Sequence, residues 1–367
     1  MVPRITEADI LDALRPIVDP DFGKSIVDLG FVKNVRIDAG HVALTIELTT
    51  PACPVKAEFE KAARERVSAL PGVETVEVSM TANTRGRVVV PATPQGEILP
   101  GVRNTIAVAS GKGGVGKSTA AVNLALSLCE TGASVGIMDA DVYGPSLQLL
   151  LGVSARPRTI ERQILPNEAY GMKLMSMGFF VSESTPVIWR GPMVHGLISQ
   201  FLKDVDWGTL DYLVIDLPPG TGDAALTLTQ MAPLSGAVIV TTANDLSLID
   251  ARKGLKMFEK VSVPVLGIVE NMSYFTPPDL PDRKYYIFGR GGGERTANEL
   301  GVEFLGEVPI DSRIVEGGDA GKPIVVYAPD SDAARAFRDI AGKIARKLAV
   351  LASDAPAIAD ANIEWVS

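Results

Sequence analysis

Nine consecutive residues, Gly111, Lys112, Gly113, Gly114, Val115, Gly116, Lys117, Ser118 and Thr119, have the types and spacing to hold a phosphate chain. Glycines allow a tight turn whose backbone N–H groups point inward at an anion. Lys117 has the reach to meet the outer phosphates, and the Ser118 hydroxyl suits Mg²⁺. The stretch follows an apolar run, TIAVAS, and precedes the helical pattern KSTAAVNLALSLCE, the strand-to-helix context in which such a loop works. A phosphate cradle needs one lysine, and Lys112 is a second.

Two acidic clusters stand at the ends of other apolar runs. DYLVIDLPPGTGD ends its run at Asp216, whose carboxylate would hold the hydration shell of Mg²⁺, and then passes into a Pro-Pro, Gly-Thr-Gly loop suited to sensing a terminal phosphate. MDADVYGPS places Asp139 and Asp141 after SVGIM, where one of them could orient an attacking water, although isolated aspartates more often cap turns. The chain has two cysteines, Cys53 and Cys129. Cys53 lies between Pro51 and Pro54, residues that cannot extend a strand ladder, so its thiol is expected on a loop open to solvent. Cys129, inside the helical LALSLCE pattern, is expected to be a small buried apolar group. His41 and His195 are solitary, and such histidines are more often hydrogen-bonded structural residues than ligands.

The elements that must position these residues follow from periodicity. Residues 5–17 have helical spacing behind a Thr6 cap; FVKNVRI and HVALTIEL alternate as strands joined at Asp38 to Gly40; VKAEFEKAARERVSAL is helical, and VETVEVSM is again a strand. This predicts a small α+β domain over 1–90, followed by a Pro- and Gly-rich linker over 91–103. From 104 to 352 the runs TIAVAS, SVGIMD, DYLVID, GAVIVT and VPVLGIVE alternate with helical stretches. Val- and Ile-rich runs of this kind are buried on both faces of a sheet, so the fold class is α/β, a doubly wound, mostly parallel sheet. The Met-rich MKLMSMGFF is read as a core segment. The last helix, 331–353, carries Phe337, Ile340, Ile344, Leu348 and Leu351 on one stripe, and 353–367 is a flexible tail.

At 367 residues and 46% apolar composition the chain can bury two cores, and its net charge of −9 disfavours nucleic acid and anionic lipid as partners. No run is apolar enough for a membrane span, and two thiols make no secreted disulfide scaffold, so the expected location is cytoplasmic.

The lysine pair in KGGVGKS, with DAD, VIDLPPGTGD and ENMS, resembles the deviant phosphate-loop ATPases. Within them WRGPM (189–193), VENMSYF (269–275) and residues 287–325 resemble the Mrp-type iron-sulfur cluster carriers. DPDFGKSIVDLGFV and LTTPACPVK resemble the iron-sulfur assembly domain often fused in front of them. The resemblance implies a slow, Mg²⁺-dependent ATPase in which ATP is held by residues 111–119 with Asn271, and in which Lys112 reaches across a homodimer to the partner's nucleotide. It also implies an iron-sulfur cluster bound and passed to apoprotein clients. Many such carriers place a C-x-x-C pair just after NMSYF. Here the segment reads TPPDLPDRKYY, and Asp279 and Asp282 are hard ligands that do not replace thiolates, which leaves Cys53 as the candidate cluster ligand. The rival reading is a positioning or partitioning ATPase of the same superfamily acting on a membrane or DNA, with Arg335, Arg338, Lys343, Arg346 and Lys347 beside the apolar stripe of the last helix. A nucleotide-gated scaffold that does not hydrolyse is a third.

Overall fold

The computed structural model describes residues 5–52, 55–84, 98–161, 163–180 and 191–354. Cys53, most of the expected linker, Trp189 and Arg190 of WRGPM, and all but the first two residues of the expected tail lie outside the described residues. The chain divides into two compact units. The smaller comprises 5–49, 55–84 and 347–354, and the larger holds 50–52 and the described residues from 98 to 346.

In the smaller unit, helix α1 (Glu7–Leu14) starts at a reciprocal cap. The Thr6 hydroxyl accepts from the Asp9 amide, and the Asp9 carboxylate accepts from the Thr6 amide at 2.9 Å. Strands β1 (Val32–Asp38) and β2 (His41–Leu48) form an antiparallel hairpin. Its turn takes left-handed backbone at Ala39 and Gly40 (φ +42° and +90°), the conformation that two-residue hairpin loops require. On β2 the alternate residues Val42, Leu44, Ile46 and Leu48 are buried, as the pattern predicts. Helix α2 (Lys56–Ser68) buries Phe59, Ala63 and Val67 at helical spacing and crosses over to β3 (Thr75–Ala82), which runs parallel to β2. The His41 ring bonds the Thr75 hydroxyl at 2.5 Å, the structural role expected of a lone histidine.

The larger unit is an eight-stranded sheet. In chain order its elements are β4 (Val102–Ala109), α3 (Lys117–Glu130), β5 (Val135–Asp139), β6 (Asn167–Ala169), β7 (Met172–Ser176), α4 (Gly191–Lys203), β8 (Leu210–Asp216), α5 (Asp223–Met231), β9 (Gly236–Thr241), α6 (Asp245–Lys260), β10 (Val265–Glu270), α7 (Gly292–Leu300), β11 (Phe304–Glu307), α8 (Ser312–Asp319) and, up to Arg346, α9 (Asp332–Asp354). Strand order is β6-β7-β5-β8-β4-β9-β10-β11, parallel throughout except for the edge pair β6–β7. Nearly every residue of β5, β8, β9 and β10 is buried, which is why these runs are uninterrupted rather than alternating.

Two details differ from the sequence reading. Strand β4 begins at Val102, upstream of the apolar run, because Arg103 and Asn104 have partners on β8: Arg103 pairs with Asp211 at 3.1 Å, and the Asn104 amide donates to the Asp211 carbonyl. The stripe of α9 is buried from Phe337 to Leu348, but Leu351 is exposed. The Met-rich segment does enter the core: Met172, Met175 and Met177 are buried.

Candidate functional site

Parallel strands order the site by their carboxyl ends. In the sheet register Asp216 of β8 stands opposite Val108 of β4 on one side and opposite Asp139 of β5 on the other, and Ser176 of β7 stands opposite Asp139. Ligands of open α/β sheets bind at such strand ends, where the order reverses around the first strand.

The chain leaves β4 through Ser110, whose hydroxyl bonds the Lys112 carbonyl at 2.9 Å, and turns through Gly113 and Gly114. Gly116 precedes α3 in the left-handed region (φ +79°), and a Cβ there would lie 2.2 Å from Asn271 Nδ2, so both the backbone and the neighbour demand glycine. No side chain caps α3, which leaves its first-turn N–H groups for an anion. Asn271, just past β10, donates from Nδ2 to the Val115 carbonyl at 2.9 Å and so ties the far side of the sheet to the loop.

Lys117 and Asp216 are both buried, with the Lys117 ammonium 2.5 Å from Asp216 Oδ1 and 3.3 Å from the Ser118 hydroxyl. Burial pushes the Asp216 carboxyl above its usual range, against the pull of Lys117. Its second oxygen, Oδ2, is buried with no protein partner. An orphaned hard oxygen beside a serine hydroxyl fits Mg²⁺, which typically takes one or two protein ligands and completes its shell with waters and substrate phosphates. Lys112 is partly exposed and has no ion pair among the described residues.

The two aspartates of the DAD stretch differ. Asp139 is fully buried and its oxygens are saturated: Oδ1 accepts from the Asp141 amide at 3.0 Å, and Oδ2 accepts from the Ser146 and Leu147 amides and the Ser176 hydroxyl at 3.0, 3.3 and 3.1 Å. Burial, then the nearby Asp216, push its carboxyl up to about 7. Asp141 accepts one bond, from the Gly144 amide at 3.2 Å, and lies near enough to Asp216 to raise it. Asp139 therefore holds the 140–147 loop. In Asp139→Asn an amide NH₂ would face backbone N–H groups in either orientation, which should lower stability by about 1–3 kcal/mol. Thermal unfolding of the two proteins checks this, and an unchanged midpoint would remove the structural role.

Cys129, expected to be buried, is only half-buried; its thiol donates to the Tyr170 carbonyl at 3.7 Å, and burial with the neighbouring Glu130 raises its pKa. It is the one cysteine among the described residues. Sequence reasoning missed Ser176 and Glu270. Nothing in the local pattern marks Ser176, whereas Glu270 ends the apolar run VPVLGIVE and lies within ENMS, a signal of the same kind as that of Asp216.

A family model described as NUBPL iron-transfer P-loop NTPase matches residues 101–345, and one described as iron-sulfur cluster assembly protein matches residues 7–80. The iron-sulfur cluster carrier protein of Synechocystis is 51% identical over 95% of this chain and 99% of its own length. The chloroplastic Fe-S cluster assembly factor HCF101 of Arabidopsis thaliana is 48% identical over 92% of this chain, which spans 63% of that longer protein. Among solved structures, a nucleotide-binding protein of Archaeoglobus fulgidus in complex with ADP is 40% identical with a TM-score of 0.55, covering 63% of this chain and 90% of that one. The cell division ATPase MinD of Pyrococcus furiosus is 25% identical with a TM-score of 0.50, covering 66% and 98%. With the glycine loop, the buried Lys117–Asp216 pair and the sheet order already in place, these matches over most of its length show that the chain belongs to the NUBPL iron-transfer P-loop NTPase family.

Proposed function

We propose that this protein is an iron-sulfur cluster carrier that binds and hydrolyses ATP with Mg²⁺ as a homodimer and hands its cluster to apoproteins in the cytoplasm. The observation that carries the nucleotide half is the buried Lys117–Asp216 pair with its unpartnered Asp216 Oδ2, set between an uncapped helix N-terminus and the strand ends. In this reading the loop amides and Lys117 hold the phosphates, and Ser118 and Asp216 hold Mg²⁺, which when bound neutralises charge on the phosphates. Asp141, with coordination to spare, orients the attacking water, while Asp139 keeps the loop in place. Lys112 acts on the partner subunit's nucleotide, which its lack of an intrachain ion pair permits. The carrier half rests on the matching front domain and on the names of the relatives, and the cluster is cargo rather than a resident cofactor.

The membrane or DNA reading loses its main support. Arg335 pairs with Asp332, Arg338 pairs with Glu130 through two bonds of 2.7 and 3.1 Å, and Lys343 donates to the Leu305 carbonyl, so these cations are engaged within the chain. No helix among the described residues is long and apolar enough to cross a membrane.

Asp141→Ala is expected to slow phosphate release about a hundredfold, the scale of a lost water-orienting group, with ATP affinity kept. Asp216→Ala should instead weaken Mg²⁺-dependent binding. Phosphate-release assays beside nucleotide titrations check both, and wild-type turnover in Asp141→Ala would exclude Asp141 as the group that orients the water.

A further inference from the structure

We infer that Glu270 is a positioning residue that transmits occupancy of the nucleotide site from the phosphate loop to the 274–291 loop. The inference rests on nucleotide being held by residues 111–119 and concerns a group that no step above uses.

Glu270 ends β10 and is fully buried. Its Oε1 accepts from the Ser273 hydroxyl at 2.5 Å, and its Oε2 accepts from the Gly293 amide at 2.6 Å, in the first turn of α7. These two partners bracket the 274–291 loop, so one carboxylate closes both of its ends. The next residue, Asn271, is fixed on the other side: its amide meets the Val115 carbonyl, its backbone N–H donates to Thr241, and Gly116 allows the close approach. Two adjacent residues thus clamp the phosphate loop and the 274–291 loop to the end of one strand.

The far loop has internal order and room to shift. Phe275 and Tyr285 exchange backbone hydrogen bonds at 2.8 Å, Lys284 sits 3.7 Å from the centre of the Tyr274 ring, and Arg290 covers Tyr286 at 4.8 Å. Its start is tied to the neighbouring segment, the Ile310 amide donating to the Tyr274 carbonyl at 2.7 Å, and beside it opens a pocket of about 470 Å³ lined by Phe275, Pro277, Pro278, Pro281, Ile310 and Arg313 among others. Close-packed segments resist displacement, whereas a loop beside open volume can shift when a group that ties both of its ends moves. Among the described residues Glu270 is the one side chain that does so here, beside the backbone bonds of Ser273 and Tyr274 to the 308–310 segment. Drawing the Val115–Gly116 turn onto a phosphate shifts the carbonyl that Asn271 holds, and Glu270 carries the shift to both loop ends. The loop exposes Ile287 and Phe288, at 61% and 40%, so its position changes which apolar surface is presented.

Hydrogen exchange read by mass spectrometry on the full chain, without nucleotide, with ADP, and with a non-hydrolysable ATP analogue, tests this in wild type, Ser273→Ala, Glu270→Ala and Glu270→Gln. Glutamine can keep both contacts, its carbonyl accepting from Gly293 and its amide donating to Ser273, so it serves as the conservative rescue. The expected result is that nucleotide slows exchange both in phosphate-loop peptides and in 274–291 peptides of wild type and Glu270→Gln. In Ser273→Ala and Glu270→Ala only the phosphate-loop response should remain. Steady-state assays of Ser273→Ala should show the KM for ATP raised about fivefold, the scale of one net hydrogen bond, with kcat changed less than about twofold. Should Glu270→Ala not fold, Ser273→Ala carries the test alone. A phosphate loop that responds while 274–291 stays silent in wild type overturns the inference, and so does a 274–291 response that survives in Ser273→Ala. Absence of any phosphate-loop response overturns the nucleotide reading itself, and the inference with it.

Discussion

Lys117→Ala is expected to lose about a hundredfold or more in ATP affinity, the scale of removing charge-assisted hydrogen bonds to phosphate, whereas Lys112→Ala keeps its affinity and loses about three orders of magnitude in hydrolysis, the scale of a charge supplied in trans. The two lysines differ in setting: Lys117 is buried on Asp216, and Lys112 is partly exposed with no intrachain ion pair among the described residues. Lys117→Ala also leaves the Asp216 carboxylate buried without its cation, a change that typically costs about 3–5 kcal/mol. That loss has a pH signature. The Asp216 carboxyl is already raised by burial, and removing Lys117 raises it further, so the folded variant retains a proton that the unfolded chain releases near the ordinary value of 3.8. A group whose folded pKa lies above its unfolded one loses stability as pH rises through that interval, so the deficit of Lys117→Ala should be larger at pH 8 than at pH 5. Titration of a labelled ATP analogue, phosphate release, sedimentation with and without ATP, and unfolding at the two pH values measure these effects. Equal loss of binding in both variants would remove the trans role of Lys112.

Cys53→Ser is expected to abolish most cluster binding, and Cys129→Ser to leave it. A chain with two cysteines gives a dimer four thiols at most. Cys129 is a poor ligand by its setting: half-buried, bonded to the Tyr170 carbonyl, and with its thiol pKa raised so that little thiolate forms near neutral pH. One Cys53 from each subunit cannot complete a four-thiolate shell, so the remaining ligands would come from a small thiol such as glutathione or from the client's own cysteines. A cluster held in this way is labile, which suits transfer. Anaerobic reconstitution of wild type and both variants, with and without glutathione, followed by iron counting and absorption spectroscopy, decides it: Cys53→Ser retaining wild-type iron would exclude Cys53 as the ligand.

Much of this protein can be read from local sequence. The doubly wound sheet was legible because strands buried on both faces must be continuous apolar runs, as in GAVIVT, and the phosphate loop because its glycines and Lys117 are contiguous. Asp216 and Asp139 were marked by their places at the ends of such runs. What no local pattern could supply is pairing across the chain. Lys117 meets a carboxylate 99 residues away, Asn271 meets a carbonyl 156 residues away, and Arg338, a cation that looked free for a surface, meets Glu130 208 residues away. Strand β4 takes in the polar Arg103 and Asn104 near its start because β8 offers them partners, information that resides in Asp211 and not in its own composition. Spacing reports only which residues share a helix or strand. The saturation of Asp139, the orphaned oxygen of Asp216 and the bracket formed by Glu270 are set by the parallel register that lays β7, β5, β8, β4, β9 and β10 side by side, and they exist only once the sheet has formed.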